Sequence, residues 1–161
     1  MAKQFVALTF AMLVIVGAAT QSAPAGELIP FKGKETGTLF LESLDLDLGI
    51  VVVVYEGHGR GTVVGNYTTR FTNVIDATGN FLSTKGSYRA ANGDEIYVTF
   101  EPAGGSQATI TDGTGRFEGA HGHYELLLVT EEPPLLENLP IAATAEYEGL
   151  ISSPGANRKR N

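Results

Sequence analysis

Ala91-Asn92-Gly93-Asp94-Glu95-Ile96-Tyr97-Val98-Thr99-Phe100-Glu101 decides how the whole chain is read. Ile96, Val98 and Phe100 alternate with Tyr97, Thr99 and Glu101, the period of two that gives a strand one buried face. Asn92-Gly93 precedes the run, and its tolerance of positive φ favours a tight primed turn, which sets the preceding strand antiparallel to this one. The same alternation predicts strands near Phe31–Leu41, Gly49–His58, Gly61–Asp76, Phe81–Ala91, Asp94–Pro102, Gln107–Asp112, Gly119–Thr130 and Ile141–Ser152. No stretch of a dozen residues in the chain after Ala25 keeps apolar residues at helical spacing, so the fold class is all-β, a barrel or a sandwich.

Outside this run, composition excludes several classes. The chain has 161 residues, 11 basic and 18 acidic, for a net charge of -7, which opposes phosphate backbones and argues against a nucleic-acid partner. There is no cysteine, so disulfides, thiolate metal sites and thiol catalysis are ruled out together.

At the start, Lys3 and then the apolar run Phe5–Ala19 lead into Thr20-Gln21-Ser22-Ala23-Pro24-Ala25. A basic start, a short apolar run and an A-x-A site are the parts of an export signal. The run is short for a bilayer-spanning helix, so cleavage after Ala25 is expected, giving a secreted or periplasmic protein with no membrane attachment. Residues 26–152 are then one domain. Ser153–Asn161, with turn formers and three basic residues, reads as a loose tail.

Ile110-Thr111-Asp112-Gly113-Thr114-Gly115-Arg116-Phe117-Glu118-Gly119-Ala120-His121-Gly122 resembles the "I-T-G-G-S/T-G-x-F-x-G-x-x-G" segment of the allene oxide cyclase and dirigent-protein barrels. Ala90-Ala91-Asn92-Gly93-Asp94-Glu95-Ile96 and Pro30-Phe31-Lys32-Gly33 are similar to stretches of secreted bacterial proteins that carry a G-G-T-G-R-F element. The resemblance implies a single-domain, eight-stranded antiparallel β-barrel, with a homo-oligomer as an analogy. It implies no activity, because folds do not carry function by themselves. Allene oxide cyclases use a glutamate- and asparagine-containing segment near the N-terminus, and no counterpart aligns here, so no catalytic residue is carried over. In the segment itself, Gly113 and Gly115 permit a tight reversal, and Phe117 can fold back as an apolar plug.

Several constellations carry groups capable of chemistry. His121, His123 and Glu125 would share one strand face and can offer two imidazoles and a carboxylate to a metal, or be an exposed polar face. The alternating glycines of Glu56-Gly57-His58-Gly59-Arg60-Gly61 resemble a phosphate loop but lead into no helix, so a bulged or curved strand is the better reading. No nucleophile elbow and no cofactor motif occurs. Glu131–Pro140 carries three leucines between prolines, apolar groups that need a covering surface such as a barrel mouth or an oligomer interface.

Tyr67, Phe71, Tyr88, Tyr124 and Tyr147 share alternation classes with small or apolar residues: Leu82 and Ala90 for Tyr88, Leu126 and Leu128 for Tyr124, Ala143 and Ala145 for Tyr147. They are the candidate lining of a lumen that holds a small apolar or aromatic molecule. Two alternatives stand beside that binding module: a cyclase-, isomerase- or dirigent-like enzyme that confines a reactive guest, and a filled structural barrel. An enzyme is expected to place an ionisable group, such as Arg70, Arg89 or Glu125, inside.

Overall fold

The computed structural model describes residues 27–131, 136–152 and 154–155. The expected leader, Met1–Ala25, and most of the basic tail lie outside the described residues. Eight strands run in order: β1 (Leu28–Asp45), β2 (Ile50–Gly61), β3 (Gly65–Asp76), β4 (Phe81–Ala90), β5 (Glu95–Phe100), β6 (Gln107–Gly113), β7 (Gly122–Thr130) and β8 (Ile141–Ser152). Each pairs antiparallel with its neighbours in sequence, and β8 pairs back onto β1, closing a barrel. Of barrel and sandwich, the barrel is what forms.

The strand positions follow the alternation, but two details differ. Gly61 ends β2 instead of opening β3, because Thr62 turns back to bond β1: its N–H donates to the Lys32 carbonyl at 2.8 Å. The turn at Asn92-Gly93 is not a primed turn. Only Gly93 takes positive φ (90°), and Asn92 does not. Gly93 N–H donates to the Ala90 carbonyl at 2.9 Å, which is a type I turn followed by a left-handed glycine. Asp76–Asn80 repeats it, with Gly79 at φ 87° and its N–H on the Asp76 carbonyl at 3.0 Å.

The barrel wall is uneven. On one side β8, β1, β2 and β3 are long, and β2 pairs with β3 all the way from Ile50↔Asp76 to Gly61↔Gly65. On the other side β6 meets β7 only from Ile110↔Gly122 to Gln107↔Glu125. Above that point the last backbone bond is from Leu126 N–H to the Ser106 carbonyl, 2.8 Å. Residues 127–130 of β7 then pair with β8 alone, leaving a seam in the wall.

The end of the barrel near Gly61 and Gly65 is closed by Phe117, which is buried after a short 3-10 turn, Gly115–Phe117. The Arg116 guanidinium lies 4.6 Å over its ring and donates to the Val64 carbonyl at 2.9 Å. Phe117 is thus the plug that its sequence context predicts. Toward the opposite end, the inward face of β7 passes from Tyr124, 2% exposed, to Leu128, 39% exposed. The inward face of β7 therefore becomes solvent-exposed beside the seam.

Candidate functional site: a carboxylate among tyrosines in the lumen

Strand alternation places Phe31, Glu35 and Leu39 on the inner face of β1, and all three are buried. Gly33 and Gly37 lie between them. On β2 the inner face runs Tyr55, Gly57, Gly59, Gly61. Along residues 57–61 this inner wall has no side chains, and the missing volume is taken by the phenols of Tyr55 and of Tyr67 and Tyr147 on the flanking strands β3 and β8. A Cβ on Gly59 would stand 2.7 Å from both the Tyr67 hydroxyl and the Glu35 Cβ, and in collision with the Lys34 carbonyl. Cβ atoms on Gly33 and Gly61 would collide with the Tyr147 hydroxyl. The alternating glycines of residues 57–61 are therefore neither a phosphate loop nor a bulge. The β1–β2 register is unbroken there, and the glycines make room for aromatic rings.

Tyr67, Phe71, Tyr88, Tyr124 and Tyr147 are all brought together inside. Tyr88 lies 5.2 Å from Tyr67 and from Tyr147, ring centre to ring centre, 5.5 Å from Phe71 and 6.0 Å from Tyr124. Its hydroxyl donates to that of Tyr124 at 3.0 Å. Phe31 packs on Tyr147 at 4.7 Å, and Tyr55 stacks on Phe71 at 6.2 Å. These mixed edge and tilted contacts suit the ring quadrupoles.

Other expected placements differ. Leu82 is 54% exposed, because the β3–β4 register shifts between Val74 and Ile75, just where it would turn inward. Arg70 lies outside, paired with Glu42 and Glu56, and Arg89 lies outside near Glu95, 3.7 Å away. Glu125 and His123 are exposed on the outer face of β7, and His121 precedes the strand with its ring nitrogen near the Gly119 carbonyl. Among the described residues no three such side chains are grouped to hold a metal ion. Of the loop leucines, Leu139 packs against the core, and Leu135 lies outside the described residues.

The ionisable group inside is Glu35. The other buried polar side chains among the described residues are satisfied: Thr69 donates to the Ser87 carbonyl (3.0 Å), Thr84 to Asn73 (3.0 Å), and Ser152 accepts from His121 N–H (3.1 Å). Both Glu35 oxygens and the hydroxyls of Tyr55 and Tyr147 have no hydrogen-bond partner. Tyr67 points its hydroxyl at the Lys34 carbonyl at a long 3.5 Å. Burial raises the Glu35 carboxyl to about 7, opposed by the Tyr67 phenol, which stands close enough to act on the carboxyl without completing a hydrogen bond to it. Burial, and the Glu35 charge after it, raise the Tyr55 and Tyr67 phenols above their ordinary value. Burial also raises Tyr147. An unpaired buried carboxyl costs several kcal/mol in general, so its presence here beside two unpaired phenols marks a site.

Glu35 was legible in principle: it is four residues from Phe31 and four from Leu39, hence on their face. Lys32, Lys34 and the flanking glycines hid it, because they make the stretch look like a solvated edge. Two depressions, about 830 and 670 Å³, open on the wall of β8, β1 and β2 among Lys32, Lys34, Arg60 and Glu146; the smaller reaches Glu35, Gly59 and Tyr67, and the larger reaches Gly33, Gly61 and Tyr147.

No protein-family model and no curated protein matches the sequence. A solved structure does: the pterocarpan synthase dirigent protein GePTS1, with a TM-score of 0.55 over 86% of this chain and 92% of that one, at 12% identity. The fold is that of a dirigent-like barrel. At that identity the likeness is one of architecture, and it transfers neither a residue nor a role.

Proposed function

We propose that this dirigent-like barrel binds a small, mostly apolar guest in its lumen, oriented by hydrogen bonds to Glu35, Tyr55 and Tyr147. One observation carries the reading: these three side chains hold the unpartnered buried oxygens of the lumen, and they stand together behind a wall of glycines. A guest that pairs them recovers the desolvation cost of each. The seam beside Leu126 and Leu128 is the entry route. The leader-like Met1–Ala25 supports work outside the cytoplasm.

A second reading is favoured by the carboxyl at about 7. A group that exchanges its proton near neutrality, in a dry lumen, can serve as general acid and base for a confined guest. Glu35, and not Arg70, Arg89 or Glu125, is the residue for that role.

Five of the six tyrosines line the lumen, with only Tyr97 outside, and there is no tryptophan. Tyrosine emission therefore reports the site. Titration with benzyl alcohol should change it saturably, and native mass spectrometry of the secreted protein should show a retained molecule that leaves on denaturation. An unchanged emission together with a clean mass would establish a filled structural barrel instead.

A further inference from the structure

Building on the lumen as a guest site, we propose that the guest is an organic cation: a protonated primary amine on a small aromatic or aliphatic body. The argument is one of charge and geometry. Glu35 is the ionisable carboxyl of the lumen, and no cation faces it. The strands that surround it present Tyr55 from β2, Tyr67 from β3, Tyr88 from β4, Tyr124 from β7 and Tyr147 from β8, while β5 and β6 present apolar Ile96, Val98, Phe100, Ala108 and Ile110. Lys32 and Lys34, its neighbours on β1, face outward to Glu148 and Glu146, each at 2.5 Å.

A carboxylate enclosed by tyrosine rings is the complement of an ammonium group. The ammonium supplies three donors and no acceptor, which matches the two Glu35 oxygens and one phenol oxygen. Its charge is also attracted to the faces of the surrounding rings. A neutral alcohol offers one donor and leaves an acceptor unpaired; a carboxylate guest repels Glu35 outright. The net charge of -7 draws cations toward the barrel before they bind.

The test compares benzylammonium with benzyl alcohol, which have the same ring and nearly the same length, and adds benzoate as the anion. Heat and tyrosine emission are followed at about pH 8, where Glu35 is ionised. The ammonium should bind about tenfold more tightly than the alcohol, and benzoate should not bind. Glu35→Gln should remove the tenfold preference, bringing the two affinities together. If that variant does not fold, the wild type at about pH 5 should lose the preference instead, since Glu35 is then protonated. Equal or tighter binding of the alcohol at about pH 8 overturns the cation class and leaves the guest site standing. Binding of none of the three probes overturns both.

Discussion

The two halves of the barrel fill the same lumen in opposite ways. β1 and β2 present a nearly bare inner surface, Gly33, Gly37, Gly57, Gly59 and Gly61, on which phenols lie. β5, β6 and the plug present bulk: Ile96, Val98, Phe100, Ile110 and Phe117, all buried. The glycine half is long and fully paired, and the bulky half is short and ends at the seam. A bare wall is intolerant of added atoms, and a bulky wall is intolerant of lost ones. The one buried carboxyl without a hydrogen-bond partner among the described residues sits on the bare wall.

The largest effect should come from the bulky side. Phe117→Ala leaves the closed end open and should destabilise by about 4 kcal/mol, read by chemical denaturation. Gly59→Val tests the bare side. The added atoms meet the Lys34 carbonyl and the Glu35 Cβ, neither of which can swing away, and the loss should be about 3 kcal/mol. If both substitutions cost under about 1 kcal/mol, the contrast between the walls is wrong.

The pH dependence of stability sharpens the comparison. Glu35 titrates near 7 when folded and near 4.5 when exposed. Between those values the folded protein keeps a proton that the unfolded chain has released. Raising the pH therefore favours unfolding, and stability should fall by about 3 kcal/mol across that window and level off above it. Asp76, held well below the carboxylate range chiefly by the Thr78 hydroxyl and also by Asn80, titrates below the window. Denaturation of Glu35→Gln at the two ends of the window should lack the fall seen in the wild type. A parallel fall in both proteins would assign the dependence elsewhere.

The smallest effect belongs to neither wall. Gly79→Ala, at φ 87° with open space around it, should cost only about 1 kcal/mol, from backbone conformation alone. A larger loss on thermal or chemical denaturation would show that the hairpin tip supports the lumen.

Fold and lining were legible to different degrees. Alternation placed eight strands and put Tyr67, Phe71, Tyr88, Tyr124 and Tyr147 inside, since a period of two assigns faces without knowledge of partners. It failed at Leu82, where a register shift breaks the period. It also missed the site's polar centre. Reading Arg70, Arg89 and Glu125 as inward candidates weighed charge type over strand face, and each of them has water or an ion partner on the outside.

Local chemistry in the sequence determined the strands, the two hairpins, the plug at Phe117 and the aromatic identity of the interior, because each depends on residues close along the chain. Only strand pairing decided that Gly59 of β2 stands between Glu35 of β1 and Tyr67 of β3, and only closure of β8 onto β1 that Tyr147 covers Gly33 and Gly61. The first set meets across two hairpins, and the second joins the two ends of the domain. Burial of a carboxyl without a partner is a property of the closed wall, and no spacing of residues within one strand encodes it.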